Sequence, residues 1–159
     1  SKYFNMTGWR LGWMVVPEQL VPVVERLAQN LFICASTVAQ HAALACFEPD
    51  SIAEYERRRA EFKARRDYFI PELQRLGLAV PVLPDGAFYA WADGTQAAAR
   101  LGVQGSWDLA YALMDRAHLA VTPGRDFGTH EPERFLRFST ASSMEHLQEA
   151  VRRLRGLLG

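Results

Sequence analysis

Between Ser51 and Gly77, residues Ile52, Tyr55, Arg59, Phe62, Arg66, Phe69, Leu73 and Leu76 follow one another in steps of three and four. That period matches the 3.6-residue turn of an α-helix and lays one apolar stripe along it, with charged residues on both flanks. Ser51 with Glu54 has the form of a capping box and Gly77 that of a C-terminal cap, so the sequence predicts a single long helix. Pro71 removes a backbone donor and crowds the preceding turn, which predicts a kink or a split. A stripe of this length must be covered by elements from elsewhere in the chain, and so constrains the fold on both sides of it.

The basic residues of this segment, Arg57, Arg58, Arg59, Lys63, Arg65 and Arg66, interleave with Glu54, Glu56, Glu61 and Asp67. They read as a salt-bridged solvent face rather than a nucleic-acid patch. The whole chain agrees: 18 basic and 18 acidic residues cancel, which removes the bulk-charge case for a nucleic acid or an anionic membrane. With 159 residues and 49% hydrophobic content, there is enough to build a well-packed globular core. No apolar run approaches the ~18 residues that span a bilayer, and no signal peptide precedes Ser1, so a cytoplasmic location is expected.

Before the stripe, Glu18 to Phe47 reads as two helices broken at Cys34–Thr37, the first with Leu20, Val23, Val24, Leu27 and Leu31 at helical spacing. The second has a small-residue face of Ala39, Ala42, Ala43 and Cys46. Cys34 and Cys46 read as buried free thiols of a reducing compartment, and His41 as a core or rim residue rather than a ligand. After Gly77 the texture changes to short strands and helices. Leu78 to Leu83 and Ala87 to Ala92 read as an antiparallel hairpin around Asp85-Gly86. Ser106 is the expected cap of a helix with Leu109, Leu113 and Ala117 inward. Leu119–Thr122 and Phe135–Thr140 read as strands, with a glycine-bounded loop from Pro123 to Gly128 between them. Ser142 with Glu145 opens a last helix whose stripe is Leu147, Val151, Leu154 and Leu158.

The chemistry concentrates at the start: Ser1-Lys2-Tyr3-Phe4-Asn5-Met6-Thr7-Gly8-Trp9-Arg10-Leu11-Gly12-Trp13. The next residues, Met14-Val15-Val16-Pro17, are too short for a helix and read as a buried strand, so Lys2 and Arg10 sit on the turn leading into it. Gly8 and Gly12 are suited to sharp bends or a close approach to a ligand. A desolvated lysine becomes an amine nucleophile, and the arginine fork suits a phosphate or carboxylate. Near the other end, the strand Phe135-Leu136-Arg137-Phe138 is read as placing Arg137 opposite its aromatic neighbours, facing water or an anion.

Lys2 followed by Met6-Thr7-Gly8-Trp9-Arg10-Leu11-Gly12-Trp13 resembles the cofactor-lysine segment of class I and II aminotransferases, the fold-type I enzymes that use pyridoxal 5'-phosphate. Asp85-Gly86-Ala87-Phe88-Tyr89, Val121-Thr122-Pro123-Gly124-Arg125-Asp126-Phe127 and Leu136-Arg137-Phe138-Ser139 resemble three further segments of that family, in the family's order. The resemblance implies an α/β fold. Residues 1–68 would form the C-terminal part of a large cofactor-binding domain of short strands and helices, with an interdomain helix from about 51. Residues 69–159 would form a small α+β domain with a mostly antiparallel sheet.

For the site, the resemblance implies that Lys2 carries the cofactor as a Schiff base, that Arg10 binds its phosphate, and that Ser1 stands at the cofactor. It further implies that Arg137 binds the substrate carboxylate and Phe88 approaches the substrate side chain. Phe127 is expected mainly to pack, and Arg125 to be exposed. Amino-acid and 2-oxo-acid substrates follow, as does a homodimer with Asn30–Thr37 at its interface. The family's other cofactor contacts lie upstream of the lysine, so this chain is expected to be a fragment with little activity alone. A carbon–sulfur lyase, an aminotransferase-like effector domain of a transcription regulator and a non-catalytic packing module remain as alternatives at this point. The aromatics from Phe88 to Trp91 hint at an apolar or aromatic substrate.

Overall fold

A computed structural model describes residues 1–159, which form two compact units, Ser1–Arg59 and Ala60–Gly159. In the first, a turn and a 3-10 segment at Thr7–Trp9 precede helix α1, Val21–Leu31, and helix α2, Thr37–Leu44. The break at 32–36 overlaps the predicted Cys34–Thr37 but begins two residues earlier, and Thr37 already opens α2. Ala39 and Ala43 of α2 are buried, and Cys46 joins Met6 and Ala43 in a small core flanked by Phe4, Leu11, Ala42 and Tyr55. Small residues let the turn approach α2 closely.

Three expectations fail in this unit. Met14–Pro17 is not a buried strand: it pairs with no strand, and Met14 and Val15 are 70% and 96% exposed. An extended apolar run is buried only where a neighbouring strand and a covering layer exist, and the described residues supply neither. The stripe of α1 is likewise uncovered, since no residue of that helix is buried. Cys34 is exposed rather than buried, because the break between the helices carries it outward; both thiols are free.

Helix α3, Pro49–Arg75, carries residues 49–59 in the first unit and 60–75 in the second. It starts two residues before the predicted cap. Pro49 takes the first helical position, where its missing N–H is no loss, and the Glu48 carbonyl accepts the first helical bond from Ile52 at 3.0 Å. Glu54 instead pairs with Arg57 and Arg58, each at 2.7 Å, which holds its carboxyl down at about 2. The helix continues through Pro71 without a split. Gly77, at φ 84°, closes it as predicted: its N–H reaches the Gln74 carbonyl and the Leu78 N–H reaches Leu73. The rest of the interleaved charges pair as read, Arg59 with Glu56, Lys63 with Asp67 and Arg65 with Glu61.

In the second unit, strand β1 (Tyr89–Asp93), helix α4 (Thr95–Leu101), helix α5 (Gly105–Ala117), strand β2 (Thr122–Pro123), strand β3 (Phe135–Ser139) and helix α6 (Met144–Leu158) follow in order. The sheet is antiparallel, in the order β1-β3-β2. On its inner face small residues oppose large ones, Ala90 against Phe138 and Ala92 against Leu136. These four pack with Phe69, Ile70 and Leu73 of α3, Leu109 and Leu113 of α5, and Leu147, Val151 and Leu154 of α6. The stripes predicted for α5 and α6 are buried as read.

The predicted hairpin is reduced to a single bridge, Ala79 to Asp93. Pro81 and Pro84 have no N–H for the ladder, and Ala87 takes φ 59°, so pairing cannot extend along residues 80–88. Strand β1 accordingly starts at Tyr89 rather than Ala87, and β2 is confined to Thr122–Pro123 rather than 119–122. Two caps shift. Ser106 lies inside α5, 1% exposed, donating to the Pro132 carbonyl at 3.1 Å. Ser143, not Ser142, caps α6, its Oγ accepting from the His146 N–H at 3.3 Å. No helix is long and apolar enough to cross a membrane.

Gly124 marks the tightest passage: a Cβ there would stand 2.3 Å from the Pro132 oxygen and 2.7 Å from that of Phe135. Gly102, at φ 69°, has open space around it. Gly124→Ala is therefore expected to destabilise the second unit by more than about 2 kcal/mol, against about 1 kcal/mol for Gly102→Ala. Thermal unfolding of the two variants checks the order. Equal losses would contradict the close backbone approach.

Candidate active site

In the first unit the Lys2 turn is built from its neighbours. The Asn5 N–H reaches the Lys2 carbonyl at 3.2 Å and the Met6 N–H reaches Ser1 at 2.9 Å. Phe4 touches the rings of Tyr3, Trp13, Phe47 and Tyr55, with centroids 5.1 to 5.7 Å away. Met6 is buried, and the Cys46 thiol donates to its Sδ at 3.1 Å. Tyr3 donates from its hydroxyl to Glu56 Oε1 at 2.8 Å, tying the residue next to Lys2 to α3. Arg59 and that hydroxyl together hold the Glu56 carboxyl below the usual range, while the bond to Glu56 raises the Tyr3 phenol.

The bends fall at Asn5 and Arg10, both near φ 54°, not at Gly8 and Gly12, which have open space on their Cβ sides. Asn tolerates the left-handed region through its short polar side chain. Arg10 does not, so its backbone is a strained outlier at a candidate site. Its side chain turns back on itself, Nη1 donating to the Thr7 carbonyl at 2.9 Å. Arg10 is in no ion pair, and the remaining guanidinium N–H groups have no protein acceptor. Ser1 donates from Oγ to the Leu11 carbonyl at 3.2 Å.

Lys2 is exposed, and its amine is in no hydrogen bond or ion pair. Its surroundings leave the amine open to solvent rather than enclosed, unlike the expectation of a desolvated lysine. Only one other lysine exists, Lys63, and Asp67 holds it at 2.5 Å. A cleft of about 510 Å³ opens in the same unit, lined by Met6, Trp9, Cys46, Glu54, Tyr55 and Arg58 among others, but not by Lys2 or Arg10.

In the second unit Arg137 occupies the outer face of β3, between Trp91 of β1 and Thr122 of β2. Period-two alternation puts Phe135 on this same face, so only Leu136 and Phe138 lie opposite, which corrects the expectation for Phe135. Trp91 stacks on Phe135 at 5.3 Å and meets Phe127 edge-on at 5.6 Å. Arg137 is half-buried and Phe127 is 44% exposed. Phe88 is half-buried too, 4.5 Å from the Tyr89 ring and 5.8 Å from Phe62. Arg125 is exposed as expected, 3.3 Å from Glu133.

The structure thus gathers Ser1, Lys2 and Arg10 on one short segment, and puts Arg137 on the outer face of the sheet, whereas Phe88, just before β1, lies against Phe62 of α3 and is not brought to Arg137. Sequence reading missed Tyr3 and Glu56 as supports of the lysine turn. A tyrosine beside the lysine and an acid on the long helix were visible, but nothing local joined them.

A family model described as aminotransferase class I and II matches residues 1–154. The valine–pyruvate aminotransferase of Mycobacterium tuberculosis is 36% identical over 156 residues, covering 97% of this chain and 38% of that protein. The aspartate/prephenate aminotransferase of Nitrosomonas europaea is 34% identical over 164 residues, covering 99% and 40%. Among solved structures, the aromatic aminotransferase from Pyrococcus horikoshii superposes with a TM-score of 0.86 at 32% identity, covering 99% of this chain and 41% of that one. The chain spans about two fifths of the length of these relatives.

The Tyr3 tether has a measurable signature. A depressed folded-state pKa means that the Glu56 contribution is in place above the ordinary glutamate pKa, and is lost as pH falls through the depressed one. Tyr3→Phe is expected to move the Glu56 midpoint upward, read by carboxyl NMR, and to speed amide exchange in residues 1–6. An unchanged midpoint would show that the tether does not form in solution.

Proposed function

The chain belongs to the class I and II aminotransferase family, and from that premise we propose that it serves transamination between an amino acid and a 2-oxo acid, with pyridoxal 5'-phosphate as cofactor. Aminotransferase names among its relatives favour this over a lyase or a regulator's effector domain. The observation that carries the reading is the Lys2 turn: an unengaged primary amine and a guanidinium with no charged partner, held on one short segment. Those two groups fit the cofactor's aldehyde and phosphate, with Ser1 alongside. When bound, the cofactor supplies the electron sink for the bonds at the substrate Cα.

The chain's own residues do the rest. Lys2 Nζ takes the proton from the substrate Cα as general base and holds it as the acid for the transfer that follows. Arg10 anchors the phosphate end through its free N–H groups. Arg137 takes the substrate carboxylate and so converts binding into alignment, and Phe88 faces the substrate side chain. The uncovered surface of the first unit, with Leu31 at 76% exposed and Ile33 at 78%, supports a homodimer in which Asn30–Thr37 meets a second copy. Residues 1–68 are assigned to the large domain and 69–159 to the small one.

In the full-length protein, Lys2→Ala is expected to abolish amino transfer. Arg10→Ala is expected to weaken cofactor binding by about tenfold or more, and Arg137→Ala to lower kcat/KM by at least about thirtyfold, the loss that follows truncation of a buried charge-assisted pair. Spectroscopic cofactor titration and steady-state kinetics measure these effects. An active Lys2→Ala variant would overturn the assignment.

A further inference from the structure

Four arginines of the second unit lie against aromatic rings, and Arg137 differs from the others in one respect: Arg65 and Arg134 also pair with Glu61 and Asp93. Arg125 stacks on Trp107 at 4.2 Å and also pairs with Glu133 at 3.3 Å, so a carboxylate already neutralises it. Arg137 has its guanidinium carbon 4.2 Å from the Tyr89 ring centre and 4.4 Å from that of Phe127, and belongs to no ion pair. Its one polar side-chain contact is a long bond from Nη2 to the Thr122 hydroxyl, 3.4 Å.

Aromatic faces attract a guanidinium through the ring quadrupole and leave its in-plane N–H groups free. A carboxylate used for the same purpose would occupy that fork and cancel the charge, competing with any carboxylate arriving later. The rings are themselves fixed. Trp91 holds Phe127 edge-on at 5.6 Å, and Tyr89 sits on β1 opposite Ser139, diagonal to Arg137 across the strand pair. Resting on the carboxylate reading of Arg137, we propose that Tyr89 and Phe127 are its positioning residues. They hold the guanidinium in place without neutralising it, ready for the carboxylate of an amino-acid or 2-oxo-acid substrate.

The test uses the chain itself with its arginine side chains labelled with nitrogen-15. Arg137→Lys identifies the Arg137 Nε–H signal by its loss. Propionate serves as the carboxylate probe and propionamide as its neutral counterpart. Propionate is expected to shift the Arg137 signal saturably, and propionamide is not. Tyr89→Leu and Phe127→Leu should each weaken propionate binding by about threefold to fivefold, the range of an exposed cation–π contact, while Tyr89→Phe and Phe127→Tyr stay within about twofold of wild type. A trifluorinated phenylalanine at 127 keeps the ring's shape but drains its face of negative potential. It should also weaken binding, an effect that packing alone would not produce and that does not depend on the leucine variants folding. Wild-type affinity in both the fluorinated and the leucine proteins would overturn the positioning role and leave the carboxylate reading of Arg137 standing. A wild-type Arg137 signal that propionate does not move would overturn both.

Discussion

Helix α3 is the element against which both units are built. In the first unit its opening turns present Tyr55 to the Phe4 cluster and Glu56 to Tyr3, which are the contacts that hold the Lys2 turn. In the second, its closing turns bury Phe69, Ile70 and Leu73 under the sheet. In each unit the apolar steps of three and four, Ile52 to Tyr55 and Phe62 through Phe69 and Leu73, give the helix its packing residues. Most of its charges pair along the helix within four residues, while Glu56, Arg66 and Glu72 also reach Tyr3, the Pro84 carbonyl and Arg155.

The second constraint is the alternation of β1 and β3. Ala90, Ala92, Leu136 and Phe138 point into the core, which forces Tyr89, Trp91, Phe135 and Arg137 onto the other face. A slip of one residue would exchange the two sets and bury the guanidinium, so the register of five paired residues fixes both core and candidate carboxylate site. The first unit has no comparable enclosure. Its apolar run at Met14 and Val15 and the stripe of α1 face outward, where a further layer of protein would cover them.

Much of this was legible in the sequence, and the reasons are specific. Leu147, Val151, Leu154 and Leu158 announce a helix because their period is local. Gly77 announces its cap because the end of that helix needs a left-handed residue, which glycine adopts without strain. The Met6–Trp13 wording carried the family because its spacing is specific. What failed depended on partners. Met14–Pro17 has the composition of a buried strand, but burial is decided by what lies alongside. Leu78–Leu83 looked like a strand until Pro81 and Pro84 were set against the ladder they would have to join. Caps moved by one or two residues because Pro49 and Ser143 are as competent as Ser51 and Ser142. The Tyr3–Glu56 tether joins residues 53 apart, and no local pattern could reveal it.

The central claim is that Lys2 is the cofactor lysine, and the composition of the chain makes the test unusually clean, since Lys2 and Lys63 are its only lysines. Incubation with pyridoxal phosphate, reduction with borohydride, digestion and mass measurement locate the adduct. The account predicts an adduct concentrated on Lys2 and diminished in Arg10→Ala. Equal labelling of Lys2 and Lys63, or labelling at Lys2 that Arg10→Ala leaves unchanged, would contradict it.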